Sequence, residues 1–133
     1  RPPARPGGGG PAPPPRPPPR PPAPPPPPVD GYIKKKFFHD VFAGDVPKST
    51  ADLMYAGQRP ADARTLGEPS GAPAWKTIPS YYLVARNDQV LPAEAQRFMA
   101  RRAGSQVREV GASHVAMISQ PAVTADLIKR AAG

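Results

Sequence analysis

The sequence has no cysteine and only two histidines, His39 and His114. Without cysteine there is no disulfide framework and no thiolate metal site, a composition that fits a reducing cytoplasm. The histidines, even with Asp40 beside His39, are too few and too dispersed for an imidazole and carboxylate metal centre, so no metal is expected. No apolar run approaches the roughly 20 residues of a membrane-spanning helix. Acidic residues are absent from residues 1–28, and so is the apolar central region of a signal peptide.

That first stretch consists of Pro, Arg, Gly and Ala alone and holds 17 of the 24 prolines. It has no side chains with which to build a core, so it is expected to be disordered, with polyproline II character broken at Gly7–Gly10. The four glycines are not a phosphate loop, because no strand leads in and no helix leads out. Arg16–Pro22, "RPPPRPP", fits the Arg-x-x-Pro-x-x-Pro pattern of SH3 ligands, and an interaction role for this tract is the alternative to a catalytic reading. The net charge of +8 is inflated by this segment: the other 14 basic residues face all ten acidic ones over 29–133. The only dense cationic run, Lys34–Lys36, lacks interleaved aromatics. It reads as a solvated helix face, and no nucleic-acid or membrane partner is expected.

From Val29 the texture changes. Three parts are expected: 1–28 disordered, 29–78 short helices and a Pro/Gly-rich connection, and 79–133 an α/β unit. "YIKKKFFHDVFAGD" spaces Tyr32 or Ile33, Phe37, Val41 and Phe38, Phe42 as a helix ending near Gly44, with His39 on its solvent side. "VPKSTADLMYAGQ" reads as a second helix with Ser49 at its capping position. "SYYLVA" is a short buried strand, and "PAEAQRFMARRAG" a helix opened by Pro92 and closed by Gly104, with Ala95, Phe98, Met99 and Arg102 on one face. "QVREV" is a second strand. "PAVTADLIKRAAG" is a closing helix with Val123, Leu127 and Ile128 inward. Strand, helix, strand, helix implies parallel strands and an α/β fold.

In such a fold, functional groups gather in loops at the carboxyl ends of the strands. Asp88 follows the first strand and His114 the second. Neighbouring parallel strands would bring these loops together, letting the carboxylate orient the imidazole and leaving the other ring nitrogen as a general base. Each residue also has an ordinary reading: Asp88 as a turn or cap residue, His114 as a polar loop residue.

The ordered series "IPSYYLVARNDQVLPAEAQRFMARRAG" and "REVGASHVAMISQP", preceded by "FFHDVFAGDVP", "QRP" and "EPSGAPAWKTIPS", resembles the carboxyl-terminal part of an α/β-hydrolase. Within that superfamily it is similar to the methylesterase and hydroxynitrile-lyase-like branch. The resemblance spans about residues 31–132, and it implies that 29–78 derives from the helical cap. It implies Asp88 as the acid and His114 as the base of a Ser-His-Asp triad acting on a carboxylic ester, without a cofactor. The base takes the proton of the serine as it attacks the ester carbonyl, then returns a proton to the leaving alcohol. It also places Met117 near the pocket, although a methionine beside an apolar run is more often core packing.

The family's Gly-x-Ser-x-Gly nucleophile turn is missing from these 133 residues. Ser70, Ser80, Ser105, Ser113 and Ser119 each lack the pair of flanking glycines, and the His-Gly oxyanion loop is absent too. In the family's chain order the serine lies upstream of Asp and His, where this chain has polyproline. The expectation is an inactive fragment with an unpaired apolar strand edge, either marginal or aggregating by itself or needing the missing amino-terminal half as partner. A truncated or frameshifted gene in a GC-rich genome would account for the front, and a genuine proline-rich linker is the alternative.

Overall fold

The structure, a computed structural model, describes residues 30–133. Residues 1–28, including the SH3-type motif, the four glycines and the boundary after Pro28, lie outside the described residues.

The chain opens with a two-residue strand β1 (Asp30–Gly31), which pairs antiparallel with β2 (Ala61–Asp62). Between them come a single α-turn α1 (Lys35–Phe37), a π-helical stretch over Phe38–Phe42, and α2 (Lys48–Ala56). Two 3₁₀ turns, Ala63–Leu66 and Ala74–Lys76, occupy the connection. The larger unit follows: β3 (Tyr81–Ala85), α3 (Ala93–Ala103), β4 (Gln106–Val110), the short α4 (Ala116–Ser119) and α5 (Pro121–Ala132). β3 and β4 are parallel, in register from Tyr81 with Gln106 to Ala85 with Val110. The α/β class and the order strand, helix, strand, helix are as the sequence predicts.

Several local expectations need correction. The first helix is not regular: Ala43 N–H meets both Phe38 C=O and His39 C=O at 3.1 Å, the signature of a π-turn. The extra residue per turn rotates the helix face. Phe38 and Ala43 become buried, while Phe37 is 48% exposed. His39 does not face solvent. It is half-buried, with Nε2 bonded to Val46 C=O and Nδ1 to Asp40, both at 3.1 Å. Ser49 does not cap α2; Pro47 holds the cap position with no side-chain bond. Pro92 likewise precedes α3 as its cap residue.

The inner face of α3 is carried by Gln96 and Ala100, spaced one turn apart, and Phe98 is 59% exposed. On α5, Ile128 is exposed whereas Val123 and Leu127 are half-buried. Gly104 ends α3 with φ 62°, and Ser105 N–H bonds Ala100 C=O at 3.0 Å, the double-bonded left-handed stop that a residue with a Cβ adopts only with strain.

Apolar burial falls into two clusters. Phe38, Ala43, Val46 and Ala51 pack with Val115; Ala85, Ala112 and Ala116 pack under Leu83 and Val110. Val115 follows His114 directly, so the loop that carries the histidine is anchored in the core of the front helices. Lys34–Lys36 are exposed, as a solvated face should be.

Candidate active site

The site is built at the carboxyl ends of β3 and β4. Past the strands the ladder continues: Arg86 N–H bonds Val110 C=O at 2.9 Å and Asn87 N–H bonds Ala112 C=O at 3.0 Å. This extension holds the two loops side by side and delivers His114 to Asp88. His114 Nδ1 and Asp88 Oδ2 are 2.8 Å apart. A carboxylate only accepts, so Nδ1 carries the proton and Nε2 of the neutral ring presents its lone pair. No described residue hydrogen-bonds Nε2.

Asp88 is also the turn residue that its ordinary reading predicts. Its Oδ1 accepts Val90 N–H at 2.8 Å and Leu91 N–H at 2.9 Å, closing the loop on itself. Its Oδ2 accepts Gln96 Nε2–H at 3.1 Å as well as the imidazole N–H. The two readings are compatible because a carboxylate has two oxygens. The side chain is only 4% exposed, against 34% for His114, so the carboxylate is enclosed and the imidazole reaches the surface.

Two further contacts set the imidazole. The Phe42 ring lies 5.0 Å from it, centroid to centroid, tilted by 44°. Asp45 reaches across 68 positions of sequence to accept Ser113 N–H at 2.8 Å and the Ser113 hydroxyl. Partial burial works against the Asp45 charge, but the Ser113 hydroxyl, the nearby Ser119 hydroxyl and the Ser113 N–H outweigh it and lower the Asp45 pKa. Ser119 Oγ itself is buried and has no partner of hydrogen-bonding geometry.

A cavity of about 260 Å³ opens beside the pair, walled by Tyr82, Leu83, Leu91 and Met117. Met117 is 56% exposed and lines this cavity, so its reading as core is wrong. Burial, and secondarily the Asp88 charge, raise the Tyr82 pKa and keep its phenol neutral. Among the described residues no group of His, Asp or Glu could hold a metal ion.

The structure thus brings Asp88 and His114 together, and keeps His39 in its own bonds at the front helices. Sequence reasoning missed Gln96, Asp45 and Phe42 as neighbours of the pair. Gln96 left a trace, as a polar residue on an alanine-lined helix face; the 68-residue reach of Asp45 left none.

The pattern that defines the Alpha/beta hydrolase family matches residues 2–127. The chain belongs to that family. Its β3–α3–β4–α5 order brings Asp88 and His114 to loops at the carboxyl ends of neighbouring strands. No curated protein matches the chain. Among the described residues no helix is long and apolar enough to cross a membrane.

Proposed function

We propose that this alpha/beta hydrolase chain carries the acid and base of an ester-hydrolysing site, Asp88 and His114, and that it does not turn over esters alone. The observation that carries the reading is the 2.8 Å bond from His114 Nδ1–H to an enclosed carboxylate, with Nε2 unbonded at the mouth of an apolar cavity. This is the arrangement a general base needs: one nitrogen fixed, the other available. Base and acid without a nucleophile cannot form an acyl-enzyme, and loss of a triad serine alone lowers rates on the order of a million-fold in a well-studied case. The quoted strand, loop and helix motifs favour the methylesterase and hydroxynitrile-lyase-like branch, hence a small carboxylic ester as substrate of the assembled site.

The remaining partner is a polypeptide that supplies a serine and oxyanion donors. Its support is the sheet itself: among the described residues β3 pairs only with β4, leaving its other edge free for a neighbour. The test is hydrolysis of a p-nitrophenyl ester by the purified chain, alone and with an amino-terminal α/β-hydrolase half supplied in trans. The chain alone is expected to match buffer. The mixture is expected to hydrolyse the ester and to lose that rate with His114→Ala. Turnover by the chain alone that His114→Ala removes would show a nucleophile already present and refute the inactive reading.

A further inference from the structure

Gln96 is 3% exposed, and an unbonded primary amide at such a site costs several kcal/mol. Its bonds are therefore informative. Oε1 accepts Ala85 N–H at 3.0 Å, while Nε2 donates to Leu91 C=O at 2.7 Å and Asp88 Oδ2 at 3.1 Å, with Ala85 C=O at 3.3 Å. This pattern admits one orientation of the amide. Reversed, the NH₂ would face the Ala85 N–H and the oxygen would face the Asp88 carboxylate.

The contact with Ala85 has a second meaning. Ser80 C=O and Arg86 N–H both point to β4. Peptide groups alternate along a strand, so those of Tyr81, Leu83 and Ala85 point to the free edge. Gln96 pairs with the last of these, N–H and C=O together, as a neighbouring strand would. It ties that end of β3 to Asp88 and to the start of α3 through one side chain.

We infer that Gln96 is the positioning residue of the pair: its amide holds the Asp88 carboxylate in the rotation that turns Oδ2 toward His114. Oδ1 is already held by the Val90 and Leu91 amides, and the Gln96 N–H is the second donor to Oδ2 beside the imidazole. Without it, the His114 bond is the only remaining restraint on Oδ2, and the carboxylate twists about its last torsion. The inference rests on the reading of Asp88 and His114 as acid and base.

The experiment uses the full chain with ¹⁵N-labelled histidine and follows the His114 Nδ1–H resonance and its solvent exchange. His39→Ala assigns the signal, since there are only two histidines. Gln96→Met keeps the length and removes the amide. The expected result is a His114 Nδ1–H that exchanges about tenfold faster, the factor given by loss of one hydrogen bond of ordinary strength, with the β3 and β4 backbone spectrum unchanged except at Ala85, whose amide loses its acceptor. An unchanged exchange rate in folded Gln96→Met overturns the inference. If that variant does not fold, Gln96→Asn, one methylene shorter, gives the same comparison. The wild-type Gln96 side-chain N–H pair needs no substitution: slow exchange is expected, and rapid exchange overturns the inference equally. Asp88→Asn separates the two levels. If it leaves the His114 signal untouched, the acid–base reading itself fails; if it moves the signal while Gln96→Met does not, only the role of Gln96 fails.

Discussion

The side chains of His39 and His114 are almost equally exposed, 33% and 34%, and each bonds an aspartate through Nδ1. They differ in what surrounds those bonds. The partner of His39 is Asp40, whose side chain is 82% exposed, and Nε2 is taken by Val46 C=O. The partner of His114 is a carboxylate 4% exposed, itself held by three further donors, and Nε2 is left open beside a cavity. Exposure therefore does not tell the two histidines apart. The second nitrogen does: at residue 39 it closes a helix end onto the following turn, and at residue 114 no described residue bonds it.

Four substitutions break or sharpen that contrast. Asp88→Ala carries the largest expected effect, about 3 kcal/mol of lost stability in urea unfolding, because it strips an enclosed site of the acceptor for two backbone amides, an amide side chain and an imidazole. A loss below about 1 kcal/mol would mean that these bonds are not maintained in solution. His39→Ala comes next, at about 1.5 kcal/mol, since it leaves Val46 C=O without its partner. Asp45→Asn is expected to cost about 1 kcal/mol, at the low end for a charge-assisted bond because the position is largely exposed.

The Asp45 effect has a defined pH dependence. The folded pKa lies below the ordinary carboxylate value, so the charged form stabilises the fold fully above that ordinary value and the contribution fades as pH falls through the folded one. The gap between wild type and Asp45→Asn should be constant above about pH 5 and close under acid. A gap that widens under acid would contradict the assignment. His114→Ala should be the mildest, about 0.5 kcal/mol, because Asp88 keeps its other three donors. If His114→Ala cost as much as His39→Ala, the two histidines would be structurally equivalent and the contrast would fail.

Part of this was legible from the residues in order. The apolar run Tyr81–Ala85, the Gly104 stop and Pro121 mark local preferences that need no distant partner, and the structure places β3, the end of α3 and the first residue of α5 there. The strand-end positions of Asp88 and His114 follow from the same periodicity. The errors share one cause. Spacing alone placed Ile128 on the inner side of its helix, where it is 63% exposed, and grouped Phe37 and Phe98 on helix faces without telling that both are exposed. Which side of a helix is buried depends on what packs against it, and one π-turn suffices to rotate the face. On α3 the face grouped from spacing was Ala95, Phe98, Met99 and Arg102, whereas the buried positions are Gln96 and Ala100.

By itself, then, the sequence determined the local elements, the family pattern, the two chemically capable residues and the lack of a Gly-x-Ser-x-Gly turn within 133 residues. These depend on residue type and short-range spacing, which a linear string contains. Only the tertiary structure decided that Asp88 and His114 meet, that Gln96 bonds Asp88 and Asp45 bonds Ser113 from separate parts of the chain, and that His39 is already occupied. Hydrogen bonds spanning 26 and 68 positions form because strand pairing and a shared core bring distant backbone together, and no local pattern encodes that closure.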